Sequence, residues 1–470
     1  MWKTSWIIFM VAGLLAADAA YTFLQHRMVA LDGDMASIIL PAPHYAPVLK
    51  APFGLPALKA EAPYASPNRY FVHRALYHYY RAVPAFFSRL TSKIEAVYLS
   101  SAIAKTASHI ALLLLLSCLA GRGYPWRAKL WAALWLAPLF QSAGYYAPVM
   151  GIVEPAPTYT FFYAWPAVLM LSLLSLLARR WQRPAGGWGE VAGMAGLCVV
   201  LPFTGPLVAG VVATGFLLVL GIGLEKRWAL RPGLPIQKMQ EYLPLSYWAG
   251  LGGLALLSAY SLYLGTLSSE QQAQVGLWAR YQRLPAGLWK MLTNKLALPL
   301  LFGGLAWQIG WLRYLDRQAF RAWWDREARY LVLFMALYLL LVPLGGYRDY
   351  RPEIIRRDTL QPVLLVLFYL WGRTGIRLLL ASGGAAWRLL PTAALLVLFT
   401  VADLTRVTGD TCQRQALQQL ANEDQPRVVL PRGCPVLTWA QVSDQDTQWP
   451  SELLVLWGIL KEGQCFEYRD

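Results

Sequence analysis

An all-α polytopic membrane protein is the fold class this sequence predicts, on three observations. Of 470 residues, 57% are hydrophobic and only 14% charged, with mean hydropathy +0.39, too apolar a balance for a soluble chain of several domains. Apolar runs near the ~20 residues that cross a bilayer recur along the whole length, which argues for spanning helices over barrel strands. The 21 Trp and 25 Tyr suit anchoring at the membrane interface. A net charge of +16 raises nucleic acid as a partner. The basic residues, however, sit in short clusters between apolar runs, so membrane lipids with anionic headgroups are the expected partner and nucleic acid is not.

The first run, Trp6 to Leu24, follows Lys3 and contains Leu15-Ala-Ala-Asp-Ala-Ala20, which could imitate a small-residue cleavage site. An uncleaved anchor is the preferred reading, because many spans follow a weakly charged start. Asp18 either pairs with a neighbouring helix or lines a polar cavity. Windows of about 19 residues then place spans near 6–24, 96–119, 130–147, 160–178, 188–203, 206–224, 245–264, 293–312, 330–344, 360–379 and 389–403, about eleven transmembrane helices.

Orientation follows from the basic connections. With the N-terminus inside, alternate loops hold Arg122, Arg127 and Lys129; Arg179, Arg180 and Arg183; Lys226, Arg227, Arg231 and Lys238; Arg313, Arg317, Arg321, Arg326 and Arg329; and Arg373, Arg377 and Arg388. All fall on one side, as the positive-inside rule requires. The expected organisation is a transmembrane domain over 1–403, with a large first outer loop at 25–95, and a small outer C-terminal domain over 404–470. For a bacterial chain this means a multi-pass protein of the inner (cytoplasmic) membrane with its C-terminus in the periplasm. Cys412, Cys434 and Cys465 lie in that outer tail and match no zinc spacing; two of them could pair, and the sequence does not say which.

Chemistry-bearing residues concentrate on the outer side. Asp32 and Asp34, in Leu31-Asp-Gly-Asp-Met35, stand just past the first span, where a membrane-surface enzyme would keep an acid-base or metal-binding group. Seven prolines between Pro41 and Pro67 forbid a long helix in the next stretch. From Asn68 the pattern changes, and Arg69-Tyr-Phe-Val-His-Arg-Ala-Leu-Tyr-His-Tyr-Tyr-Arg81 predicts a helix lying in the interface, with Arg69, His73 and Arg74 near its start. A lipid-surface anchor and a substrate-binding role are both open to it.

The 148–159 loop carries a single acid, Glu154, between prolines, and ends at Tyr159. A lone loop carboxylate is usually just solvated; two more acids on the same side raise its standing. In Gly345-Gly-Tyr-Arg-Asp-Tyr-Arg-Pro-Glu-Ile-Ile-Arg-Arg-Asp-Thr359, Tyr347, Arg348, Arg351, Arg356 and Arg357 lie where short-loop positive charge is disfavoured. A phosphate ligand would account for the arginines, since their forks match its oxygens. Internal pairing with Asp349, Glu353 and Asp358 is the competing account. Lys105 and His109, one turn apart in the second span, either line a cavity or bond to neighbouring helices. Nucleotide-binding, zinc-protease and serine-hydrolase signatures do not occur, so ATP-driven transport and the common hydrolase mechanisms have no support.

An acidic motif after the first span, a large first outer loop with interfacial helical character, a second outer loop bearing an acid, many further spans and an outer C-terminal domain resemble the plan of the GT-C superfamily. These are integral-membrane glycosyltransferases that use polyprenyl-phosphate-linked sugars. The resemblance implies a GT-C-like fold and transfer from such a donor to a lipid or cell-envelope glycan acceptor. It implies Asp32 or Asp34 as the first-loop acid, acting as general base or holding a divalent cation (Mg or Mn), and Glu154 as the second-loop acid. A departure is that many members carry an acidic pair in these loops, whereas the second loop here has one carboxylate. The alternatives are an O-antigen polymerase or ligase and a secondary transporter.

Overall fold

The computed structural model describes residues 2–59, 63–140, 156–182, 187–229, 245–270, 275–293, 296–345, 354–383, 385–404, 411–431, 433–439 and 447–468. Its membrane part is built from α1 (Trp2–Arg27), then, after the first loop, α5 (Lys93–Ala120), α6 (Trp126–Leu136) and α7 (Pro157–Tyr159). A π turn joins α7 to α8 (Trp165–Gln182). There follow α9 (Trp188–Val200), α10 (Pro206–Ala229), α11 (Leu245–Thr266), α12 (Leu277–Thr293) and α13 (Ala297–Leu315). The series closes with α14 (Arg317–Trp323), α15 (Arg329–Leu341), α16 (Arg357–Ala381) and α17 (Leu390–Leu404). The first loop contributes α2 (Asp34–Ile39), α3 (Leu55–Lys59) and α4 (Tyr70–Phe87); the tail contributes α18 (Thr411–Asn422), α19 (Gln448–Leu456) and the strands β1 (Arg427–Leu430) and β2 (Cys465–Tyr468).

The protein is therefore an almost entirely helical membrane protein. Six described helices are long and apolar enough to cross a bilayer, and eight if each of two bent pairs counts as one span. Eleven is more than that, and the reasons are local. The expected runs at 188–203 and 206–224 form one pair, bent by 117° at Gly205, whose φ of +129° is open to glycine and strained for other residues. The run near 389–403 is a short apolar helix, and the run near 130–147 is described only to 140.

The described helix ends fall into two groups. At one end Arg373 donates to the carbonyls of Ala120 (2.9 Å) and Arg122 (2.6 Å), Arg377 lies over Trp323, and Arg388 lies over Trp311. At the other lie the start of α7, the bend at Gly205, the end of α11 and the start of α16. Arg356, at the start of α16, and Arg373, within it, lie about 25 Å apart along the helix at 1.5 Å per residue. The core between the two ends centres on Leu301, Leu364, Phe368 and Trp371, all buried.

A second core sits where the first loop meets the tail. The prolines keep helices short between 34 and 59, as expected, and α4 then forms where the aromatic pattern begins. Its stripe of Val72, Leu76 and Tyr80 recurs every fourth residue, yet it is buried against protein rather than lipid. Tyr79 donates to the Ser100 carbonyl (2.8 Å), Tyr80 bonds to the Ser101 hydroxyl (3.0 Å), and Trp457 of the tail donates to the Tyr80 carbonyl (3.0 Å). α5 starts with Ser92 capping the Glu95 N–H, the Ser-x-x-Glu pattern that favours a helix N-terminus. In the tail, β1 and β2 pair in parallel, Arg427 opposite Cys465, and their inward residues Val428, Leu430, Phe466 and Tyr468 join Leu31, Met35, Ile39 and Leu76 in one cluster. The disulfide joins Cys412 to Cys434 and leaves Cys465 free.

Candidate functional site

A cavity of about 800 Å³ opens at the end of the bundle that carries the first loop. Its lining has two characters. Asp34, Tyr45, Arg69, His73, Glu270, Arg280, Arg356 and Asp358 make a polar end, while Leu207, Gly210, Ala213 and Leu217 of α10 face Leu341, Val342 and Leu344. The α10 positions recur every three or four residues and so mark one helix face. From Pro206 to Leu217 that face runs about 17 Å into the membrane part. A Cβ at Gly210 would meet nothing within 4 Å, so the wall there is open.

The two first-loop acids part ways. Asp32 is 4% exposed and does not line the cavity. Its Oδ2 accepts the Thr158 N–H (2.8 Å), and its Oδ1 accepts the Thr158 hydroxyl (2.6 Å) and the Asp34 N–H (3.0 Å). It thus caps α7 from outside and ties the first loop to the helix that continues into α8. Burial pushes its carboxyl up to about 6, against the pull of the Thr158 hydrogen bonds.

The linkage has a definite sign. The folded chain keeps the Asp32 proton to about pH 6, whereas the unfolded chain releases it near 3.8. This contribution to stability, about 3 kcal/mol at most, is fully present below pH 4 and is lost as the pH rises through 6. Thermal unfolding of detergent-solubilised protein should show wild type losing ground to Asp32→Asn between pH 4 and 6.5; parallel curves would leave Asp32 with an ordinary carboxyl.

Asp34 opens α2 and lines the cavity, and its Oδ1 accepts the indole N–H of Trp439 (2.8 Å). That bond crosses 405 positions of sequence and is possible because Gly33 has no side chain. A Cβ there would lie 2.7 Å from both the Trp439 ring and its backbone nitrogen. Gly33→Ala should therefore displace the 438–439 segment at a cost of about 1–3 kcal/mol, read as a drop in thermal stability together with faster proteolysis of the tail. An unchanged variant would mean that the segment yields freely.

Arg69 is a cation of the polar end that has no carboxylate partner among the described residues. Among the described residues its guanidinium makes no ion pair or hydrogen bond; it lies over the Phe162 ring, 5.5 Å from the centroid, in space left by Gly205. Arg280 is held by the carbonyls of Val275 (3.0 Å) and Pro343 (3.4 Å), also without an acid. Arg356 instead pairs with Asp358, which also accepts from Tyr163 (3.1 Å). For this arginine the internal pairing weighed from sequence is what the structure contains. Arg74 lies over Tyr77, off the cavity, and Arg357 is described only as the first residue of α16. Glu154, Tyr347, Arg348 and Arg351 lie outside the described residues.

His73 donates from Nδ1 to the Arg69 carbonyl (2.9 Å), which leaves Nε2 as an acceptor; burial pushes its pKa down to about 4, so the ring is neutral at pH 7. Glu270 accepts from Tyr45 (2.9 Å) and Ser66 (2.8 Å), and burial beside this carboxylate pushes the Tyr45 hydroxyl up. Lys105 and His109 are buried, with Lys105 donating to Thr160 (3.2 Å), and neither lines the cavity.

The structure thus brings Asp34, Arg69, His73, Tyr159 and Arg356 to one cavity. Glu270 and Arg280 join them without having been singled out, as does Asp358, named from sequence only as a partner for the arginines. Glu270 stands four residues past the end of α11, as Asp34 stands just past α1, so the same positional test would have found it. A divalent cation does not fit the residues described. Both Asp32 oxygens are occupied by hydrogen bonds, and among the described residues no three His, Cys, Asp or Glu side chains gather as a metal group. No protein-family model matches the chain, and no curated protein matches it.

Proposed function

We propose that this chain is a glycosyltransferase that moves a sugar from a polyprenyl-phosphate donor to a lipid or envelope-glycan acceptor at the outer face of a bacterial inner membrane. The fold would be of the GT-C type, threaded with the N-terminus inside and the C-terminus in the periplasm. The observation that carries this reading is the two-part cavity, a polar end holding Asp34 and arginines with no carboxylate partner among the described residues, continued by an apolar groove along α10. An amphiphile with an anionic head and a long hydrocarbon tail matches both parts.

The chemistry needs little else. A lipid phosphate is already a good leaving group, so what the site must supply is a base for the acceptor and positive charge for the departing phosphate. Asp34 takes the acceptor hydroxyl proton as the new bond forms at the anomeric carbon. The bond from that carbon to the phosphate oxygen breaks, its electron pair leaves with the phosphate, and configuration inverts. Arg69 and Arg280 receive the phosphate, being the cavity arginines that no carboxylate neutralises among the described residues. Arg356, paired with Asp358, contributes less.

The test is release of lipid phosphate from polyprenyl-phosphate-linked sugars by the purified protein in proteoliposomes. Arg69→Ala should raise the KM for the donor about 10- to 100-fold, the worth of one charge-assisted hydrogen bond. No release from any such donor would refute the reading, and an unchanged KM would remove Arg69 from it. Secondary transport is the second reading, favoured by the bent pair at Gly205, since broken helices mark transporter sites. It predicts uptake of intact substrate without release of lipid phosphate.

A further inference from the structure

We infer that Trp439 and Tyr159 form the platform on which a sugar ring of the acceptor stacks, so that the acceptor is a saccharide arriving from the aqueous side. This rests on the reading of Asp34 as the base. Asp34 and Tyr159 line the cavity, whereas Trp439 does not, so the two aromatic rings bridge the cavity edge to the surface beyond it. Trp439 is 55% exposed although its N–H is already satisfied by Asp34 (2.8 Å). A large ring whose only polar group is spent, left open to solvent beside a carboxylate, offers a π face and little else.

The geometry of the pair suits a flat, hydroxylated ligand. Tyr159 and Trp439 have centroids 5.6 Å apart at 35°, a splayed arrangement rather than a closed stack. Tyr163 meets Tyr159 edge-on at 5.4 Å and 90°, and Gly33 abuts the indole at Cδ1, so each ring is held by a neighbour. One face of a pyranose presents C–H bonds of slight positive character, which an electron-rich indole face attracts, while its rim of hydroxyls seeks acceptors such as Asp34. An acceptor carried by an acyl chain would instead favour the apolar groove along α10, which Trp439 does not touch. The indole N–H on Oδ1 also orients the carboxylate, so Trp439 is a positioning residue as well as a binding surface.

Saturation-transfer NMR on full-length protein in nanodiscs, with tetrasaccharides of glucose, galactose, mannose and N-acetylglucosamine as probes, tests this. At least one probe should bind wild type, with contacts on ring C–H protons. Trp439→Ala should weaken that probe at least tenfold, while Trp439→Phe, which keeps a stacking face but loses the N–H, should stay within about threefold. In the transfer assay Trp439→Phe should lower kcat and shift the pH profile without raising the acceptor KM. Absence of binding by every probe, or equal binding by Trp439→Ala and wild type, overturns the inference. The same holds if Trp439→Ala and Trp439→Phe fall together, since stacking would then not be what Trp439 supplies. Asp34→Asn binds the probe within a few-fold; if it also keeps full transfer activity, the base assignment fails while the saccharide platform stands.

Discussion

Asp34→Asn is expected to lower sugar transfer by about 10²- to 10⁴-fold while leaving the protein folded and its donor KM nearly unchanged. The size follows from removing a base whose proton transfer occurs only in the transition state. The intact fold follows from position, because Asp34 stands at the first turn of a six-residue helix and faces the cavity rather than the core. Asn keeps an oxygen for the Trp439 N–H, so the local geometry survives the change. Asp32→Asn must behave differently. Three donor hydrogens converge on the two Asp32 oxygens, and an amide has only one oxygen to offer, so a backbone N–H at Thr158 or Asp34 loses its partner. Asp32→Asn should therefore alter stability and its pH dependence, with activity lost only as far as Asp34 is displaced. Initial rates measured beside thermal unfolding for both variants separate the roles. Equal rates for wild type and Asp34→Asn would remove the base from the mechanism.

The contrast between these neighbours also marks what a sequence can carry. Asp32 and Asp34 are equivalent as text, two carboxylates flanking a glycine past a span. What separates them is the Thr158 pair approaching one and the Trp439 indole approaching the other, from 126 and 405 positions away. Hydrophobic runs report membrane class because burial in lipid is a property of each segment alone. They do not report the bend at Gly205 between the runs at 188–203 and 206–224, which depends on how the two helices pack and not on their composition. The aromatic pattern at 69–81 located a helix correctly, yet could not distinguish a face buried in lipid from one buried under Trp457. Arg356 shows the same limit for charge: its excess over the positive-inside expectation looked like a phosphate site, and a carboxylate two residues on accounts for it.

The largest stability effect is expected at Gln413, which the sequence hides among the glutamines of α18. Its side chain is 1% exposed and joins three separate segments. Oε1 accepts the Leu31 N–H (2.8 Å) and the Tyr98 hydroxyl (2.7 Å), and Nε2 donates to the carbonyls of Leu31 (3.1 Å) and Pro435 (3.2 Å). Gln413→Leu preserves most of the volume and removes the partners of all four groups in a place water does not reach. At about 1–3 kcal/mol for each orphaned group, and less than additive, the loss should be about 3–6 kcal/mol. It should appear as a fall in Tm and rapid cleavage of the tail. Because Leu31 immediately precedes Asp32 and Pro435 leads to Trp439, transfer should fall as well, although Gln413 does not line the cavity. The Cys412–Cys434 disulfide also ties α18 to the segment of Pro435, so reduction should deepen the defect in Gln413→Leu more than in wild type. Gln413→Glu tests the polarity of the clamp directly. An ionised carboxylate can still accept from Leu31 and Tyr98, but turns an oxygen toward two carbonyls. The variant should therefore resemble Gln413→Leu at pH 8 and approach wild type as acidification supplies the missing donor; stability equal to wild type at both pH values would show that the carbonyls need no donor there.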